Sequence, residues 1–239
     1  QPAFDDNLNG IDWNEAEQKR LVSEVLPKWR PEVAELLENK HLVEIEGQPV
    51  VLDHAILYSM ICEMEPSRLI EVGCGRTTHT IRAAFTKHNM PCELISIDPK
   101  PAVDIDEVVD AHMDQPVQEI PIDDFLMLQA GEFLVLDLSH VYMSGSVVSD
   151  VYGRILPRLN SGVIVAIQGV GFPQPADEDR IKAGHNEDLL LKLFLNGNKN
   201  VELIFSGGYA TTKLSEDLDQ YWEVDAEDLV SQITWFRVK

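Results

Sequence analysis

The sequence predicts an α/β fold: a mostly parallel sheet covered by helices, with a helical segment in front of it. Three observations carry this. From residue 66 onward, short apolar runs alternate with helical patterns. The first apolar run, "RLIEVG", leads through "CG" into a helix start. The second, "CELISIDP", ends on an acid. Strands joined by helices run parallel and are buried on both faces, which is why they read as continuous apolar runs.

The elements follow in order. In "DWNEAEQKRLVSEVLPKW", Asn14 is placed to cap a helix, with Glu17 as its capping-box partner, and Leu21, Val22, Val25, Leu26 and Trp29 recur at helical spacing. Pro31 then starts a second short helix, "PEVAELLENK". A third covers 53–65, with Ile56, Leu57, Met60 and Ile61 on one face. After the first strand, "TTHTIRAAFTKHN" is a helix starting at Thr77 or Thr78 and closing near Asn89. "DEVVDAH" is a weak third strand, "EFLVLDLS" a strongly apolar fourth and "GVIVAIQGV" a fifth, with the helix "SVVSDVYGRILPRLN" between the last two. "NEDLLLKLFLNGN" is a helix before the sixth strand, "VELIFSGG", and "SQITWFRVK" is the last. Only the acidic stretch "SEDLDQYWEVDAEDLV" stands between the final two strands, so an antiparallel final pair is expected. Residues 1–65 read as a helical cap and 66–239 as the α/β domain. The cap either closes over a site or packs in a homodimer.

The chain has 239 residues, with 19 basic and 41 acidic side chains and a net charge of −22. Such a surface repels phosphate backbones and argues against nucleic acid as a partner. The acids are dispersed and read as a solubilising surface. No apolar run approaches the ~20 residues of a membrane helix, and the first residues lack a signal-peptide pattern, so no membrane partner is expected. Cys62, Cys74 and Cys92 form no CxxC and are odd in number, which fits reduced thiols in a cytoplasmic protein. The four tryptophans read as packing residues.

In open parallel sheets, ligands bind beyond the carboxyl ends of the strands. There, Gly73 and Gly75 permit a tight turn and close backbone approach, and the following helix offers free N–H groups. A dinucleotide fingerprint needs a third glycine where this chain has Thr78, which weakens a nicotinamide-dinucleotide reading. Glu71 would repel a pyrophosphate but could meet a cationic amino group, directly or through water. S-adenosylmethionine, which carries an amino group, a carboxylate and a sulfonium, suits this corner better. Asp98 ends the second strand, where an acid accepts hydrogen bonds from ribose hydroxyls of either ligand. As an isolated "DP" it would be a turn residue.

With these motifs, "RLIEVGCGRTTHTIRAAF … ISIDPKP … FLVLDLSHVYMSGSVVSDVYGRILPRLNSGVIV" resembles the class I S-adenosylmethionine-dependent methyltransferases. More narrowly, it is similar to a small-molecule group found in sugar, capsule and natural-product contexts. The resemblance implies a Rossmann-like seven-stranded sheet with an antiparallel last strand. It places Glu71, Gly73 and Gly75 under the methionine part of the cofactor and Thr77 and Thr78 at its carboxylate end. It places Asp98 at the ribose, and Met113, Asp114 and Gln115 beside the adenine. Cys74 and Pro99 fall within the same cofactor-binding set. Asp137, ending the fourth strand, would face the transferred methyl.

The resemblance also exposes a departure. Relatives carry a D-x-S-H-like motif on the fourth strand, kept here as Asp137, Ser139 and His140. Their fifth strand ends in histidine–x–histidine–aspartate, whose acid helps hold a divalent metal. Here Ala166, Gln168 and Gly169 stand in those places. A neutral amide is a poor substitute for a carboxylate on a hard cation, so no metal site is expected. Three accounts follow: a metal-independent enzyme with His140 as general base, a substrate needing no deprotonation, or a protein that binds the cofactor without turnover, as a sensor or assembly partner. His140 could equally be a structural histidine. His185, Asn186 and Glu187 could line a substrate pocket, although Asn186 reads first as a helix N-cap. No GxSxG or Ser-His-Asp order supports a hydrolase. The expected reaction is methyl transfer from S-adenosylmethionine to a small polar molecule.

Overall fold

The computed structural model describes residues 10–38, 44–45, 48–49, 51–222 and 231–239. Seven strands form the main sheet: β1 (Arg68–Val72), β2 (Glu93–Ile97), β3 (Ala111–Met113), β4 (Phe133–Leu136), β5 (Ile164–Gln168), β6 (Val201–Ser206) and β7 (Ile233–Val238). Their order is β3-β2-β1-β4-β5-β7-β6. The first five are mutually parallel, and β7 is antiparallel to both β5 and β6, as expected. The chain passes from β1 to β2 on one side and to β4 on the other, so a crevice opens at the carboxyl ends of β1 and β4.

The principal helices are α1 (Glu15–Arg20), α2 (Leu26–Leu37), α3 (Val51–Met64), α4 (Arg76–His88), α5 (Ile122–Leu126), α6 (Val147–Asp150), α7 (Glu178–Lys182), α8 (Glu187–Leu195), α9 (Gly207–Lys213) and α10 (Ser215–Trp222). The two faces of the sheet carry separate apolar clusters. Leu69, Leu94, Phe133, Ala166 and Trp235 pack with Leu21, Val25, Val33, Ile56 and Met60 of the N-terminal helices. Ile70, Ile97, Leu134, Val165 and Phe236 pack with Val148, Ile155 and Leu191 on the opposite face. Residues alternate between clusters along each strand because successive side chains point to opposite faces. Full burial of one such side chain contributes about 1.5–3 kcal/mol. Trp13 stacks on Phe172 and Tyr209, and Trp235 meets Phe133 edge-on, so both are packing residues.

Three local expectations are corrected. No capping box forms at Asn14. The residue adopts a left-handed conformation (φ 48°, ψ 48°), its Nδ2 donates to the Leu203 carbonyl at 3.0 Å, and Glu17 instead accepts from Arg20. A tertiary bond to β6 displaces the local cap. Pro31 does not start a helix: α1 continues through a π-helical stretch, Leu21–Val25, into α2, and Pro31 lies inside the latter. Burial of Leu26 and Val33 on either side outweighs the hydrogen bond that proline removes. The third strand begins only at Ala111. Just before it, the Asp110 carboxylate takes the Leu94 N–H at 2.8 Å in place of a ladder carbonyl.

Candidate functional site

The turn after β1 is built around one acid. Glu71 is fully buried. Its Oε1 accepts from the Thr77 hydroxyl at 2.8 Å, and its Oε2 from Thr78 at 2.6 Å and Ser96 at 3.4 Å. Thr78 Oγ1 in turn accepts the Gly75 N–H at 3.0 Å. Burial pushes the Glu71 carboxyl up to about 7, against the lowering effect of these hydroxyls. Glu71, Thr77 and Thr78 thus form one internal network that pins the glycine turn to the start of α4. The threonine hydroxyls expected at a ligand's carboxylate are spent on Glu71, and Glu71 lies beneath the turn, not at its surface.

The two glycines serve different needs. Gly73 has φ +81°, and a β-carbon there would stand 1.9 Å from the Asp137 carbonyl oxygen. It is glycine so that the ends of β1 and β4 can close on each other; the Asp137 N–H donates to Val72 O at 2.8 Å. Gly75 is extended, and a β-carbon there would meet only Ala102 Cβ, at 3.7 Å. No protein atom requires a glycine at 75.

Asp98 stands at the crevice edge. Its Oδ2 accepts the Cys74 N–H and its Oδ1 the Lys100 N–H, each at 2.8 Å. A carboxylate has about four lone-pair sites, so both oxygens are held in place and each keeps an acceptor direction. Cys74 contributes this backbone bond; its thiol is buried, and burial raises its pKa.

A cleft of about 250 Å³ lies against these groups, lined by Val72, Gly73, Ile97, Asp98, Pro99, Pro116, Val117, Gln118, Asp137, Leu138, Ser139 and Val147. It brings together four sequence-predicted residues, Gly73, Asp98, Pro99 and Asp137. The wall expected from Met113 and Gln115 is made instead by Pro116, Val117 and Gln118. Asp98 N and Gln115 N both bond to Met113 O, which turns the chain and carries the wall three residues onward.

A second cavity, of about 330 Å³, has its lining within 3.7 Å of the first at His140 and Asp137. His140, Gly169, Arg180, His185, Glu187 and Gln232 are among its lining residues. The junction is His140, whose Nε2 lies 3.7 Å from Asp137 Oδ1 and whose Nδ1 lies 2.9 Å from Glu187 Oε2. The first distance is too long for a hydrogen bond; the second is a good one. Desolvation at the strand end raises the Asp137 pKa, with the His140 charge opposing it. His140 has φ 57°, and its carbonyl accepts both the Asn186 and Glu187 N–H groups at the start of α8.

Asn186 does not cap α8 with its side chain. Its Oδ1 accepts the Tyr142 N–H at 2.6 Å and its Nδ2 donates to Tyr142 O, so it fastens the loop after β4 instead. Glu187 is the residue the sequence left undecided. An acid in the first turn of a helix reads as a surface partner for the dipole, yet here it is 1% exposed. The signal was the pattern "HNEDLLLKL", which puts Glu187 and Leu191 on one face.

The fifth-strand corner is filled. Gly169 has φ +74°, and a β-carbon on it would stand 2.3 Å from Cε1 and Nε2 of His140. Gln168 is buried, with no hydrogen-bond partner for its Nε2. Among the described residues, no group of three or more His, Cys, Asp or Glu side chains is arranged to hold a metal ion. Also among the described residues, no helix is long and apolar enough to cross a membrane.

No protein-family model matches the chain, and no curated protein matches it. Solved structures align along most of the chain at low identity. A methyltransferase from Podospora anserina, PaMTH1, bound to SAH, is 13% identical, with a TM-score of 0.47 over 96% of this chain and 98% of that one. An O-methyltransferase from Bacillus cereus in complex with SAH is 9% identical, with a TM-score of 0.44 over 95% and 98%. The plantazolicin methyltransferase BamL, in complex with a triazolic desmethylPZN analog and SAH, is 11% identical, with a TM-score of 0.46 over 94% and 97%.

Proposed function

We propose that this chain is a class I S-adenosylmethionine-dependent methyltransferase that acts on a small polar molecule without a metal ion. One observation carries the reading: two cavities meet across Asp137 and His140, one with the chemistry of an adenosyl site and the other with room for an acceptor.

The residues fit the cofactor. Val72, Ile97, Pro99, Val117 and Leu138 give apolar walls for a base. Asp98, held by two backbone donors, keeps acceptor directions for ribose hydroxyls. The space over Gly75 lets a ligand approach the backbone. Asp137 sets a carboxylate at the junction, complementary to a positive centre. Bound S-adenosylmethionine supplies an electrophilic methyl group.

The chain's own part is then to hold, orient and deprotonate. The larger cavity holds the acceptor, and His140 takes the proton from its reacting atom. Positioning of this kind supplies much of the rate enhancement in such transfers. The metal reading does not fit the donor set. Gln168 offers one neutral oxygen, Gly169 offers none, and the His140 ring stands where a longer side chain at 169 would reach.

The test is calorimetric titration of the full chain with S-adenosylmethionine and S-adenosylhomocysteine, first in chelator and then with magnesium. The expected result is binding of both with no magnesium dependence, weakened at least tenfold in Asp98→Ala. Failure of folded protein to bind either ligand would overturn the reading.

A further inference from the structure

We infer that Glu187 is a positioning residue for His140: it fixes the imidazole tautomer and holds the ring at the junction of the two cavities. The inference rests on the methyltransferase reading only for its consequence; the contact itself is independent of it.

The placement of Glu187 is costly. A carboxylate 1% exposed forfeits its hydration, and buried acids are retained only when paired. Its Oε2 is paired with His140 Nδ1 at 2.9 Å, while its Oε1 has no hydrogen-bond partner. The buried Tyr152 hydroxyl lies against Glu187 and interacts with its carboxylate, short of good hydrogen-bond geometry. No cation other than a protonated His140 is within salt-bridge distance of Glu187 among the described residues. The acid is therefore not part of a structural ion-pair network. Its one side-chain hydrogen bond of good geometry is to the ring.

That contact decides which nitrogen is free. A neutral imidazole carries one N–H, and an ionised carboxylate can only accept. Glu187 therefore draws the proton to Nδ1, which leaves the Nε2 lone pair facing Asp137 across 3.7 Å. A gap of that length, open to the cleft, suits an acceptor hydroxyl or amine donating to Nε2. Three further contacts hold the ring there. Gly169 leaves room beneath it, and the Asn186 and Glu187 N–H groups bind the His140 carbonyl at 2.9 and 3.2 Å. Backbone and side chain of His140 are thus both fastened to the first turn of α8.

The test uses nitrogen-15 NMR of the full chain, with imidazole shifts and long-range proton couplings assigned to His140 through His140→Gln. The expected wild-type spectrum at pH 8 shows the Nδ1–H tautomer with a downfield proton. Glu187→Leu, which removes the acceptor and keeps the volume, is expected to lose the fixed tautomer. Glu187→Gln, whose amide oxygen can still accept, is expected to restore it. S-adenosylhomocysteine affinity should change less than twofold in both variants. A wild-type Nε2–H tautomer, or a Glu187→Leu spectrum unchanged from wild type, would overturn the inference. If Glu187→Leu does not fold, the wild-type tautomer decides alone. A correct tautomer in a protein that binds no S-adenosylhomocysteine would sink the methyltransferase reading and leave the positioning contact standing.

Discussion

A β-carbon on Gly169 would stand 2.3 Å from the imidazole of His140. The end of β5 and the loop after β4 are therefore mutually exclusive in what they can carry: a side chain at 169 or a ring at the junction. Gly169→Asp, alone or with Gln168→His, is expected to displace His140 without building a metal site. The strained φ of +74° adds to the cost. We expect a loss of about 1–3 kcal/mol in chemical denaturation and no magnesium binding by calorimetry. Tight magnesium binding by the double variant would contradict this.

Gly73 and Gly75 separate fold from ligand. Gly73→Ala drives a methyl into the Asp137 carbonyl at a left-handed φ and should cost about 2 kcal/mol or more in denaturant melts. Gly75→Ala meets only Ala102 Cβ at 3.7 Å. It should leave stability within about 1 kcal/mol while lowering S-adenosylhomocysteine affinity at least tenfold. Equal effects of the two variants on stability would refute the assignment.

Glu71 gives a pH dependence with a definite sign. Its carboxyl rises from 4.5 to about 7 on folding. The folded state then binds a proton more readily than the unfolded chain, so this group's contribution is fully present below pH 4.5 and is lost as the pH climbs through 7. One pKa unit is worth about 1.4 kcal/mol, so the window carries roughly 3 kcal/mol. Glu71→Gln should flatten the fall in stability between pH 5 and 8 relative to wild type. Parallel pH profiles for the two proteins would show that the buried carboxyl titrates normally.

Asn14 is expected to behave as a tertiary tie. Asn14→Ala loses the 3.0 Å bond to Leu203 O and puts a β-carbon at φ 48° without the side chain that favours it. A cost of about 1–2 kcal/mol is expected, with Asn14→Gly recovering part of it through the backbone term. An alanine variant as stable as wild type would show that the bond to Leu203 O contributes nothing to stability.

The sequence by itself determined the alternation of strands and helices, the antiparallel last pair, the glycine turn after β1 and the acid ending β2. Most of these are local: apolar periodicity and glycine act within a few residues, and Asp98 and Asp137 lie at strand ends wherever the strands go, while β6 and β7 pair antiparallel although α9 and α10 stand between them. The tertiary structure decided what local pattern cannot carry. Asn14 met β6, 189 residues away in the chain, and gave up its cap. Glu71 and the two threonines satisfied one another because burial leaves a carboxylate no water to bind. Glu187 could be read as a surface acid until the packing of α8 turned it toward His140, 47 residues earlier. A buried polar group is fixed by whichever partner the fold brings within about 3 Å, and sequence spacing does not encode that distance.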